Sequence, residues 1–159
     1  MEAFLKKYFK KVEKVESLSV KQTQACALHF ASGISAGDIV ALSGDLGAGK
    51  THFVKGIGKF FKINGKMIVS PTFSLIKTYK SKGMVINHFD FYRLKGIDEL
   101  EKIGYRDSIA ELNTISLIEW PEKVKETWRN FTYVINILHK GSNRRSITIY
   151  KKKILKKCQ

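Results

Sequence analysis

The sequence predicts an α/β fold in which a mixed β-sheet is flanked by helices. Three observations lead there. Short apolar runs alternate with helical patterns along the chain. One run, Asp38-Ile39-Val40-Ala41-Leu42-Ser43, passes directly into glycine and then into a helix. Two extended runs flank a Ser-Lys-Gly turn near the middle. A sheet built from both crossover passages and a hairpin is parallel in one part and antiparallel in another.

The elements follow in order. Residues 4–15 place Phe4, Leu5, Tyr8, Phe9, Val12 and Val15 near a helical period, with Lys6, Lys7, Lys10, Lys11 and Lys14 largely between them. This reads either as a basic amphipathic helix or as a helix running into a first short strand. Ser19-Val20-Lys21-Gln22 has the form of a capping box, so a helix runs to about Ala31 and is ended by Gly33 and the Gly37-Asp38 turn. Residues 38–43 form a buried strand, and 51–62 a helix. Residues 73–80 and 84–91 pair as a hairpin around Ser81-Lys82-Gly83. Asp98 to Ile103 is a short helix stopped at Gly104, and 114–119 is a strand ended by Pro121. The last strands, 132–138 and 146–150, bracket a loop at 141–145.

A chain of 159 residues with 43% hydrophobic content buries about 70% of its extended surface and needs no disulfide or structural metal. It contains no internal repeat and no Pro/Gly/Ser-rich linker, so residues 1–159 read as a single domain, with a basic segment at 1–15 and a Lys-rich tail at 151–159. No apolar run approaches the ~20 residues of a membrane span, and the first residues lack a secretory pattern. Only Cys26 and Cys158 are present, which excludes a disulfide scaffold and an all-cysteine zinc site. A reducing, cytoplasmic location is the expectation.

The chain carries 29 Lys+Arg against 14 Asp+Glu, a net charge of +15. Residues 1–15 hold +3 and residues 139–159 hold +8, whereas the 123 residues between them hold only +4. Basic ends attract phosphate backbones through counterion release. However, 24 of the 29 basic residues are Lys, as a Lys-favouring codon bias would produce, so charge alone names no function.

The chemistry lies in Gly44-Asp45-Leu46-Gly47-Ala48-Gly49-Lys50-Thr51, which matches G-x-x-x-x-G-K-[ST]. Gly44, Gly47 and Gly49 accept the backbone conformations that turn successive N–H groups inward around a phosphate. The helix that follows adds its positive end. Lys50 would reach the β- and γ-phosphates, and the Thr51 hydroxyl would ligate Mg²⁺. Such a site also needs a carboxylate at the end of a neighbouring strand, and two acids fit: Asp90, after Met84–Phe89, and Glu119, after Ile115–Ile118. The competing reading makes each a strand-end acid capping a helix or paired with Arg93 or Arg106. Together these features predict a P-loop NTPase-like fold.

Four blocks in this order carry a family resemblance: GDLGAGKT at 44–51, SPTF at 70–73, HFDFYRL at 88–94 and IEWPE at 118–122. Together they resemble the TsaE family, the P-loop ATPase of tRNA threonylcarbamoyladenosine biosynthesis, over roughly residues 17 to 150. The resemblance implies an ATPase that uses ATP and Mg²⁺ and works with a TsaD–TsaB complex. That complex modifies the adenosine beside the tRNA anticodon, which leaves open whether this chain meets tRNA directly or only through the complex. Carried over by position, Asp45, Leu46, Gly47, Ala48, Gly49, Lys50 and Thr51 would bind the nucleotide. Thr51 and Glu119 would hold Mg²⁺. Catalysis would fall to Lys50, to Asp90 ordering the metal shell or attacking water, and to Thr72 as a switch threonine sensing the γ-phosphate. Trp120 matches a tryptophan beside the site, with a core indole as the alternative. Arg144-Arg145 falls where the family contacts nucleotide; the pattern does not separate the two, and Arg144 is taken as the contact.

Two other classes remain open from sequence. A small-molecule kinase would need a lid, for which 93–106 is a candidate. An RNA-interaction module would hold ATP structurally and grip RNA with its basic ends. A GTPase is disfavoured because no N-K-x-D guanine-reading motif occurs. Cys26 and His29 share a helix face but lack a third ligand, which reads as core packing. His52, beside the loop, reads either as a nucleotide contact or, as the favoured alternative, an exposed helical histidine.

Overall fold

The computed structural model describes residues 1–154, so Lys156, Lys157 and Cys158 of the tail lie outside the described residues. Seven strands form one sheet: β1 (Phe9–Ser17), β2 (Ile39–Ser43), β3 (Ile76–Ser81), β4 (Met84–Asp90), β5 (Thr114–Glu119), β6 (Tyr133–His139) and β7 (Arg145–Lys152). The helices are α1 (Glu2–Tyr8), α2 (Val20–Ala31), α3 (Lys50–Phe60), α4 (Ile97–Lys102) and α5 (Tyr105–Ala110), with 3-10 turns at Pro121–Lys123 and Lys125–Asn130. The strand order is β1-β7-β6-β2-β5-β4-β3. The four strands β6, β2, β5 and β4 run parallel, and the remaining pairings are antiparallel. The mixed α/β sheet expected from the sequence is therefore the fold.

Strand alternation divides the core in two. Val40, Leu42, Ile115, Leu117, Ile135 and Ile137 face α2 and α3, whereas Ile39, Ala41, Ile118 and Val134 face α1, α4, α5 and Trp128. All five residues of β2 and all six of β5 are buried, which is why Ile39–Leu42 is a continuous apolar run, while β5 also buries Thr114, Ser116 and Glu119.

Of the two readings for residues 4–15, the structure takes the helix running into a strand. α1 ends at Tyr8, and β1 continues to Ser17 at the sheet edge, antiparallel to β7, with an irregularity between Lys11 and Glu13. Only Phe9 and Ser17 of β1 are buried, so no period-two signal marks it in the sequence. The capping box forms in a shifted version. Ser19 Oγ accepts from the Gln22 N–H (3.2 Å), while Gln22 Oε1 accepts from Leu18 N–H (2.7 Å) instead of from the cap residue itself. The hairpin is present, but its first strand starts at Ile76, not at 73.

Segment 93–106, the candidate lid, is anchored to the body of the fold by three side chains. Leu94, Leu100 and Tyr105 are buried in the second core, and α5, absent from the sequence-based expectation, begins at Tyr105 within the segment. No helix among the described residues is long and apolar enough to cross a membrane. Cys26 is half-buried against the first core, and burial pushes its thiol up to about 11, consistent with packing.

α2 and α3 meet at Gly56. A Cβ there would stand 2.4 Å from Gln24 O and 2.5 Å from Ala27 Cβ, closer than real contacts allow. Gly56→Ala is expected to force the two helices apart and destabilise the fold by about 1–3 kcal/mol, read as a lowered denaturation midpoint. An unchanged midpoint would show that the helices separate freely.

Candidate functional site

The C-terminal ends of the parallel strands meet beside the glycine loop, the usual place for a ligand in an α/β sheet. β2 passes into Gly44 after Ser43, and in the neighbouring pairings Leu42 lies opposite Glu119, and Glu119 opposite Asp90. Register alone therefore brings the two strand-end acids and the loop to one edge of a cleft of about 410 Å³.

Gly44 is required for contact reasons. Its φ is 148°, and a Cβ would lie 2.3 Å from Ile137 O on the adjoining β6. Gly49 caps α3 at φ 109°, in the left-handed region, with no side chain bonded to the helix end. The first N–H groups of an eleven-residue helix thus open toward the cleft, as an anion site requires. Lys50 is 4% exposed and folds back over the loop. Its ammonium donates to Gly44 O (2.6 Å) and Asp45 O (2.9 Å) and sits 3.6 Å above the Trp120 ring. Burial pushes the Lys50 pKa below the ordinary lysine value, while Glu119, Glu122, Asp90 and Asp45 pull it back up.

Neither candidate acid meets Arg93 or Arg106 among the described contacts: Arg93 lies over Phe73, and Arg106 pairs with Glu101. Glu119, 3% exposed, accepts from Thr51 Oγ1 (2.8 Å) and lies 2.9 Å from His88 Nε2. Asp90, 1% exposed, accepts from Ser70 Oγ (2.6 Å), Thr72 Oγ1 (2.7 Å) and the Tyr92 N–H (2.9 Å). Segment 70–73 is thereby tied to the end of β4.

Trp120 takes a left-handed conformation (φ 60°) just after β5, and its N–H donates to Leu42 O. That turn presents the ring to the cleft while its other side packs against Tyr92, with centroids 4.9 Å apart. The cleft and core readings of this tryptophan are thus both partly met, since it also touches the second core.

Leu46, Gly47, Gly49, Lys50, Thr51, Thr72, Asp90, Glu119 and Trp120 all line the cleft. Asp45 and Ala48 do not line it. Asp45 contributes a carbonyl to Lys50, and the buried Ala48 accepts from Arg145 Nε (3.0 Å). Of the two loop arginines, the structure brings Arg145 to the cleft, 8% exposed and against Gly49, and leaves Arg144 exposed outside it. The alternation of β7 decides this, because Arg145 opens the strand facing the first core. His52 also lines the cleft instead of standing free, and burial, then Lys55 and Arg145, push its pKa down.

Sequence reasoning missed His88, Ser70 and Tyr92 as parts of the site. A signal existed for His88, which stands two residues before Asp90 on the same strand face. Nothing local marks its partner, Glu119, 31 residues away.

The residues present suit a nucleoside triphosphate and a hard cation. The loop offers backbone donors and one lysine, and the Thr51 hydroxyl and Glu119 carboxylate offer oxygen ligands. Among the described residues no group of three or more His, Cys, Asp or Glu is placed to hold a metal ion by itself.

A family model described as "Threonylcarbamoyl adenosine biosynthesis protein TsaE" matches residues 17–147. The tRNA threonylcarbamoyladenosine biosynthesis protein TsaE of Rickettsia prowazekii (strain Madrid E) is 36% identical over 137 residues, covering 86% of this chain and 94% of that protein. Its counterpart of the same name in Rickettsia conorii is 37% identical over 131 residues, covering 82% and 74%. The one in Bacillus subtilis is 34% identical over 135 residues, covering 85% and 83%. The crystal structure of Bacillus subtilus YdiB superposes with a TM-score of 0.69 at 28% identity, covering 91% of this chain and 88% of that one.

Proposed function

The chain belongs to the TsaE family and takes part in tRNA threonylcarbamoyladenosine biosynthesis, and we propose that it does so by binding and hydrolysing ATP with Mg²⁺. The observation that carries this reading is the convergence of the glycine loop, Lys50, Thr51, Glu119 and Asp90 at the ends of three adjacent parallel strands.

Bound Mg²⁺ would neutralise phosphate charge. The remaining work belongs to the chain. The loop amides and the α3 N-terminus hold the phosphates, and Lys50 leaves the carbonyls of Gly44 and Asp45 to meet the β- and γ-oxygens. Thr51 and Glu119 hold the cation. Asp90 orients the attacking water or the metal shell. Thr72 leaves Asp90 to sense the γ-phosphate, Arg145 braces the loop through Ala48, and Trp120 covers the site.

The partners are TsaD-like and TsaB-like proteins in the cytoplasm, whose complex modifies the tRNA. We expect slow phosphate release from the chain alone and stimulation of about tenfold or more by the purified partners, because completion of such a site in trans acts on positioning and charge. A coupled phosphate-release assay checks this. Turnover that depends on a small phosphoryl acceptor, and not on the partners, would replace this reading with a kinase.

A further inference from the structure

The charges of this chain are segregated in a way the site does not explain. Between Asp45 and Asp90 no Asp or Glu occurs, yet residues 46–89 hold eight Lys. Nine of the fourteen acids lie in residues 90–126. The fold sends α3 to one face of the sheet and α4 and α5 to the other, so an acid-free helix faces away from an acid-rich pair.

On the α3 side lies an open groove lined by Gln24 of α2, Lys55 and Lys59 of α3, and Ile63, Asn64, Gly65 and Lys66 of the following loop. Lys59 and Lys66 are exposed, and Lys55 is half-buried. No lining residue is acidic. The field of Lys55 also reaches the cleft, where it helps depress the pKa of His52 one helical turn away.

We propose that this groove binds the phosphodiester backbone of RNA. Three ammonium groups and two side-chain amides, spread along an open channel, suit an extended ligand with repeated negative charge. Apart from Ile63, which is only 8% exposed, the lining itself offers no apolar side chain to anchor a protein partner. The choice of RNA over another polyanion rests on the assignment to tRNA modification. It places the RNA contact on the α3 face instead of on the basic ends.

The test is a fluorescence-anisotropy titration of the full chain with an unmodified tRNA transcript at ~50 and ~200 mM salt. Lys55→Gln/Lys59→Glu/Lys66→Glu is expected to bind about tenfold or more weakly at the lower salt. It should also reduce the slope of log K against log[salt] by about 2–3, as loss of three phosphate contacts predicts. Lys59→Gln/Lys66→Gln, confined to exposed positions, should show a smaller loss in the same direction and guards against misfolding of the triple variant. Lys151→Glu/Lys152→Glu/Lys153→Glu should change binding less than the groove triple does. The proposal is overturned if wild type fails to bind, or if the exposed-site pair retains wild-type affinity and slope. It is equally overturned if the tail variant loses more than the groove triple. Retained tRNA binding with lost partner stimulation would assign the groove to a protein instead. Basal phosphate release, measured in parallel, should stay at the wild-type level in the exposed-site pair Lys59→Gln/Lys66→Gln. Failure of the groove and failure of the ATPase reading are thereby distinguishable.

Discussion

Lys50→Ala is expected to lower phosphate release by about 10²–10³-fold and to weaken triphosphate binding. Lys50 places a buried cation inside the loop, held within 3 Å of two loop carbonyls and beneath an indole ring. Those carbonyls and the ring are poor substitutes for phosphate oxygens, so the ammonium is positioned to exchange one set of acceptors for another. Alanine leaves the backbone cradle in place but removes the group that follows charge onto the transferred phosphoryl oxygens. Lys50→Met keeps the aliphatic stem against Trp120 and should lose activity to a similar extent, which separates charge from packing. Phosphate release and equilibrium nucleotide binding, with far-UV circular dichroism to establish folding, provide the check. Normal turnover in either variant would remove the loop from the reaction.

Glu119→Ala should raise the Mg²⁺ concentration needed for half-maximal activity by about tenfold or more, with a smaller loss of ADP affinity. The reason is the division of labour in the cleft: backbone groups hold the phosphates, and the carboxylate faces the threonine that shares the cation. A stability effect accompanies it. Glu119 Oε1 is the partner of His88 Nε2, His88 is wholly buried, and its Nδ1 has no partner of its own. Removing the carboxylate strands the ring and costs about 1–3 kcal/mol. Glu119→Gln retains an oxygen for the ring and loses the charge, so it should recover stability while keeping the Mg²⁺ defect. Titrations of both variants against Mg²⁺, with parallel thermal melts, settle the matter. If ADP affinity and Mg²⁺ dependence fall equally, Glu119 serves the fold and not the cation.

The parts of the molecule legible in the sequence were those where chemistry is local. The Gly44–Thr51 loop, the strand before it and the helix after it form one contiguous signal. The strand-end positions of Asp90 and Glu119 follow from the lengths of two apolar runs. Features that depend on register were opaque. Whether Arg144 or Arg145 reaches the loop depends on which face β7 presents, and the partner of His88 depends on the parallel pairing of β4 with β5. β1 was obscured for another reason: an edge strand with a bulge buries almost nothing, so its lysines and valines imitate a helix.

The two basic segments that stand at opposite ends of the sequence also meet in the fold. β1 lies against β7, with Lys10 across from Lys151. At the far side of the sheet, β3 carries Lys77 and Lys80. Both open rims of the seven-stranded sheet are thus studded with ammonium groups. Charged side chains along an exposed edge strand disfavour its pairing with the edge of a second molecule. Part of the large positive charge is thus placed where it opposes edge-to-edge pairing of the sheet.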